Sequence, residues 1–353
     1  MDFDERLENR SFATVRSIPL MDSDGFDCVV IIARVAFRMS FDGRARVGFR
    51  PVRVNTEYDG GTIRFPTDCV VDKPGTDVGL IGTAFPTRAK SASNNSALAW
   101  LQLGELRKVI QIFGSRTYYQ HMGEWMMTDP GPLAPTPLTY DRAFGGRGND
   151  GSECPENPVG RGWEKAELEG KPAPQLAPVH DPLLPGQKSH VSQGTFGPID
   201  LNWEPRAKRR GTFDHEHLQN RYPMPPVDMD VRCNCWSTPQ LYSSTPLRGD
   251  EACEVGGVLP EGIWRFKLPH YPIRFEYEMD GKPFGPPSHL DGFLIDADER
   301  IVELTYRAKV RLPKKWARLE RIRAIADVNL PESALVDDDW PLPPEVPALR
   351  STL

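Results

Sequence analysis

Hydrophobic and polar positions fall into short runs of period two through the first third of the chain. Phe26 to Met39 is nearly continuous in β-branched and apolar residues, Arg44 to Val54 alternates basic with apolar positions, and Thr62 to Val71 continues in the same style, a pattern that predicts strands. Asp42-Gly43, between two of these runs, predicts a hairpin turn. Val78 to Phe85 has the apolar character of a buried strand, and Leu98 to Leu103 with Lys108 to Phe113 predicts a hairpin about Gly104-Glu105. The pattern returns at Gly262 to Lys267 and at Ile273 to Met279, with a turn at Gly281 after it. It ends in a hairpin of Gly292 to Asp296 and Arg300 to Val310, joined by Asp296-Ala-Asp298-Glu299. Lys314 to Asp327 reads differently: Trp316, Leu319, Ile322 and Ile325 recur at every third position, a helical stripe.

From Asp129 to Pro246 periodicity fades, and Pro, Gly and aromatic residues crowd together. A structureless loop of this length is foreign to a compact domain. Trp163, Phe196, Trp203, Phe213, Tyr222 and Trp236 argue for order, because rings of that size seek burial. The expected architecture is therefore mainly β: large antiparallel sandwich or barrel-like sheets, a long irregular insertion and one short C-terminal helix. The boundaries expected are a lead-in over residues 1–15 and a single β-rich domain over 16–312. That domain divides into strand-rich 16–128, irregular 129–250 and returning strands 251–312. A helix over 313–328 and a mobile acidic, Pro-rich tail over 329–353 complete the chain.

Composition sharpens this picture. The chain carries 35 Pro and 30 Gly among 353 residues, about 18%, where roughly 12% is ordinary. Pro blocks helix interiors and central strands and Gly supplies turn angles, so many short elements are required. A net charge of -6 argues against nucleic acid as a partner, and the best basic cluster, Arg206-Ala-Lys208-Arg209-Arg210, reads as a solvated loop. Acids in Met1-Asp-Phe-Asp-Glu-Arg do not make a signal peptide, and no apolar run approaches a bilayer span, so a cytoplasmic protein without membrane insertion is expected. Six Cys at irregular spacing fit reduced thiols better than a disulfide framework.

Metal is the sharpest catalytic possibility. His215-Glu-His217 and Cys233-Asn-Cys235 are two i, i+2 pairs, and on strands each would present both ligands on one face. Structural zinc pairs use wider spacings, and Cys is a common core residue, so no metal and no other cofactor is expected. There is no Gly-x-Ser-x-Gly elbow, His-Glu-x-x-His helix or Walker-type loop, and Asp296, Asp298 and Glu299 lack the rest of a calcium loop. No catalytic triad is nominated.

Ordered strings run through the middle and end of the chain: Thr139-Tyr-Asp141-Arg142-Ala-Phe144-Gly145-Gly146, Pro155-Glu156-Asn157-Pro158-Val-Gly160-Arg-Gly162, Phe196-Gly197-Pro198-Ile-Asp200 with Trp203, Gly211-Thr212-Phe213-Asp214, Leu247-Arg248-Gly249-Asp250-Glu251, and Leu294-Ile295-Asp296 onward to Tyr306-Arg307. In that order and spacing the chain resembles the DUF2169-type family of type VI secretion accessory proteins over roughly residues 20 to 310. The resemblance implies a non-enzymatic adaptor or chaperone. It would bind a cognate effector, through the effector's PAAR-type or N-terminal segment, and promote its loading onto the spike and PAAR tip. Two other readings are a metal-dependent hydrolase toxin and a structural component of the secretion tip or baseplate. Asp141, Arg142, Trp203, Tyr222, Trp236, Arg248 and Asp250 are the expected framework or partner-binding residues, with core packing the alternative for each Trp.

Overall fold

The strand Asp27–Met39 explains its own nearly continuous apolar sequence: it lies inside a sheet covered on both faces, so nearly every residue in it is buried. In the computed structural model, which describes residues 6–86, 95–164, 167–179, 194–312, 319–326 and 328, this strand belongs to a seven-stranded sheet. The order across it is Tyr242–Ser243, Thr76–Ile81, His289–Asp296, Ile301–Arg311, Asp27–Met39 and Thr14–Met21. Ala45–Gly48 pairs the far end of Asp27–Met39. Neighbours are antiparallel except Thr76–Ile81 beside His289–Asp296. The expected turns form: Gly43 takes φ +84° between Asp27–Met39 and Ala45–Gly48, and Asp296 Oδ1 accepts from the Glu299 amide at 3.1 Å in the final hairpin.

A second, five-stranded antiparallel sheet runs Leu176–Pro178, Leu106–Phe113, Ser96–Leu103, Ala252–Gly256 and Trp264–Lys267. Its buried Leu101, Ile110, Val255 and Trp264 join Val29, Ile31, Phe37, Phe293 and Leu304 of the first sheet in one hydrophobic core. Period-two alternation delivers these contacts, since each strand sends every second side chain to the same side. The architecture is mainly β, as the run lengths and turn content require.

A third sheet, Leu7–Arg10, Leu319–Ala326, Ile273–Met279 and Lys282–Phe284, closes the same core through Ile273, Phe275, Leu319 and Ile322. Leu7–Arg10, within the N-terminal lead-in, pairs parallel to Leu319–Ala326. Here the expected C-terminal helix is corrected, because Leu319–Ala326 is a strand. Leu319 opposes Met279 and Arg321 opposes Glu278, so Glu320 is the extra residue of a β-bulge. The insertion places Leu319 and Ile322 on the buried face three positions apart, and the spacing imitates a helix. The one α-helix among the described residues is His215–Asn220, with Asp214 as its N-cap. Trp316 and the tail over 329–353 lie outside the described residues.

The face of the first sheet turned away from this core is charged and nevertheless buried. Arg34, on Asp27–Met39, is 3% exposed and Glu303, on Ile301–Arg311, is 2% exposed; they form an ion pair. Arg34 also forks onto Asp68 at 2.5 and 2.6 Å, and Arg53 forks onto Glu303 at 2.6 and 2.7 Å. Arg307 pairs with Asp291 and donates to the carbonyls of Val70 and Asp68 at 2.6 and 2.8 Å. Lys73 meets Asp77 at 2.5 Å. Arg34, Arg53, Lys73 and Arg307 thus balance Asp68, Asp77, Asp291 and Glu303, all of them buried. Removing one partner of such a set strands a buried charge. Glu303→Gln is expected to destabilise the fold by about 3–5 kcal/mol. Glu299→Gln, in the more exposed pair with Arg50, is expected to cost under about 1 kcal/mol in the same urea-denaturation measurement.

Candidate functional site

The irregular middle of the chain is held by reciprocal contacts among the strings singled out in the sequence. Asn157 Nδ2 donates to the carbonyls of Tyr140 and Phe144 at 2.8 and 2.9 Å, and Phe144–Gly145 pairs with Arg161–Gly162. At Gly145 (φ +148°) a Cβ would stand 2.1 Å from the Asn157 carbonyl oxygen, so only glycine permits the approach. Tyr140 Oη donates to the Gly197 carbonyl at 3.0 Å and its ring meets Trp203 edge-on at 5.2 Å, with Ile199 completing a small apolar cluster.

The residues expected to act together are scattered by this arrangement. Asp141 and Arg142 share a 3-10 turn but take different partners, Arg161 at 3.6 Å and Gln175 at 2.6 Å. Arg248 and Asp250 pair with each other at 3.0 Å in an exposed turn braced by Glu251. Phe196, Trp203 and Trp236 are buried, whereas Phe213 and Tyr222 are exposed, which corrects the expectation that all the rings of this segment are covered. The zinc premise of two strand-borne pairs is also corrected. His215 and His217 lie on a helix, where residues two apart point to nearly opposite sides. Cys233 sits in a 3-10 turn, where burial raises its thiol pKa, and burial pushes Cys235 up to about 12. Among the described residues no group of three metal-ligating side chains forms.

The geometry instead builds a groove. Asp77 accepts from the amides of Trp236 and Ser237 at 3.1 and 3.0 Å and from the Ser237 hydroxyl at 2.7 Å, which fixes this segment against Thr76–Ile81. Trp236 packs where a Cβ on Gly79 would come within 2.6 Å of its ring. Between that segment, the stretch from Thr56 to Asp72 and the end of Thr14–Met21 lies a cavity of about 390 Å³, lined by Met21, Tyr58, Leu201, Met229, Trp236 and Arg206 among others. Arg206 was expected in a solvated loop; it is 8% exposed and donates to the carbonyls of Cys233 and Ile199 at 2.8 and 2.6 Å. Burial holds its guanidinium below the usual value. Arg206 and the groove had no legible signal, because their walls come from segments far apart in the chain.

A family model described as "Uncharacterized protein conserved in bacteria (DUF2169)" matches residues 24–307. The chain belongs to the DUF2169 family. No curated protein and no solved structure matches it. The matched span of this DUF2169 chain contains the charged back face and nearly all of the groove lining. No helix among the described residues is long and apolar enough to cross a membrane.

The DUF2169 core carries one further cation. Lys108 faces inward on Leu106–Phe113, donates to the Thr195 carbonyl at 2.5 Å, and burial lowers its pKa from 10.5 to about 7. The unfolded chain holds that proton to the ordinary value while the folded chain releases it near 7. Between these limits the unfolded state binds more protons, so this residue makes stability climb as pH rises. Denaturant unfolding at pH 6.5 and 9.5 is expected to show this climb in the wild type and a smaller one in Lys108→Met.

Proposed function

We propose that this protein is a type VI secretion adaptor that holds an extended segment of a cognate effector and promotes its loading onto the spike and PAAR tip. The observation that carries the reading is the groove. Its lining includes the apolar side chains of Met21, Tyr58 and Leu201, which stay 38%, 57% and 37% exposed, and it opens beside the end of Thr14–Met21, the terminal strand of its sheet. A strand at the end of a sheet offers main-chain donors and acceptors to an extended segment, and neighbouring pockets select its side chains. Exposed Tyr58 is a rigid anchor that loses little conformational freedom on binding, and buried Trp236 forms part of the groove wall. The ordered strings that resemble type VI accessory proteins support the choice of partner. The ion-paired face beneath the groove favours a preformed surface, which reduces the ordering cost of capture.

Co-expression with the effector encoded beside it is expected to raise that effector's soluble yield and to give a co-purifying complex. Leu201→Asp and Met21→Asp, both at partly exposed positions, are expected to cut recovery about tenfold or more with unchanged thermal unfolding. Leu218→Asp, on the exposed side of the short helix, serves as the neutral control. Absence of a complex, or equal recovery from all variants, defeats the proposal. Loss of all secreted cargo on deletion, in place of one effector, would assign the protein to the tip or baseplate.

A further inference from the structure

We infer that a second, smaller cavity beside the groove is a binding site for an oxyanion of the phosphate class. The cavity has a volume of about 110 Å³, and its lining includes Arg206, Arg209, Arg232 and Tyr242. At roughly 30 Å³ for each water in the liquid, this is room for three or four waters, the size of one tetrahedral anion.

Charge decides the ligand. The four cations of the buried back face each meet a carboxylate, but Arg206, also buried, donates only to the neutral carbonyls of Cys233 and Ile199. Asp77 and Asp200 act on Arg206, and Asp230 on Arg209, through the field, yet none of the ion pairs among the described residues joins a carboxylate to Arg206 or Arg209. Arg232 is held by Asp230, at 2.5 Å from Nη2. The cavity lining carries three guanidiniums and no carboxylate, and with Asp230 holding Arg232 and Asp77 and Asp200 acting from behind it, the cavity keeps a net positive charge. A buried guanidinium without a counter-ion is costly, and a bound anion removes that cost.

Local structure aims the groups together. Arg206 precedes and Arg209 ends a single 3-10 turn, in which the Arg209 amide donates to the Arg206 carbonyl at 3.0 Å. With three residues per turn, both side chains project from one side of it. Arg232 comes from a separate 3-10 turn, Val231–Asn234, and Tyr242 from a sheet edge, so donors approach from three segments. Convergence from several directions suits a tetrahedral anion better than a planar carboxylate.

This site does not depend on effector binding and is tested on the purified full chain. Calorimetric titration with inorganic phosphate, against chloride at equal ionic strength, is expected to show one saturable site. Arg209→Gln is expected to weaken it about tenfold or more. Arg210→Gln, whose native side chain bonds Asn202 at 2.8 Å and lies outside the cavity lining, is expected to leave binding unchanged. Glycerol phosphate is the second arm: binding of phosphate alone marks a site for the free ion, and tighter binding of the ester marks a phosphoryl group on a larger ligand; either supports the inference. No saturable phosphate response, an equal response to acetate, or an equal loss in Arg210→Gln would overturn it.

Discussion

Arg34 and Glu303 pair diagonally across neighbouring strands in the middle of the seven-stranded sheet, Arg34 opposing Thr305 and Glu303 opposing Ala36, and that placement constrains everything built over them. A charged pair at such a position is tolerated only if the polar groups around it are also satisfied. The chain meets this demand by bringing Arg53 and Asp68 down from one connection and by letting Arg307 bind the carbonyls of Val70 and Asp68. The loop is thus part of the electrostatic balance of the sheet. Its path is set by the ions beneath it as much as by its own turns.

Asp77 extends the same principle to the irregular segment. By accepting two amides and a hydroxyl from Trp236 and Ser237, and by pairing with Lys73, one carboxylate fastens two covering segments at once. The groove is the gap left where these covers meet without closing. Rigidity below and apolar side chains at the rim are the combination a capture surface needs, since little conformational freedom remains to be lost on binding.

Much of the β framework was legible because strands in a sandwich alternate and because turn residues mark their ends. The hairpins at Asp42-Gly43 and Gly104-Glu105 and the final hairpin form where the pattern places them. Leu319–Ala326 was misread because a single inserted residue changes period two into an apparent period of three. The ion network was illegible for a different reason. Its members belong to four separate stretches, and nothing in the sequence near Arg34 or Glu303 distinguishes an interior charge from a surface one. Arg206 shows the same limit, since a basic cluster in a turn-rich stretch has the composition of a solvated loop whether or not folding covers its first member.

The parallel pairing of Leu7–Arg10 with Leu319–Ala326 has a consequence for biosynthesis. Glu8 and Arg323, which bond across these strands, lie 315 residues apart. A polypeptide emerging from the ribosome N-terminus first cannot make this pairing until Ala326 has been translated, so Leu7–Arg10 is seated only after a strand made some 315 residues later has emerged. Until then the apolar side chain of Leu7 awaits its neighbours, and the nascent protein carries an open seam that the emergence of Leu319–Ala326 closes.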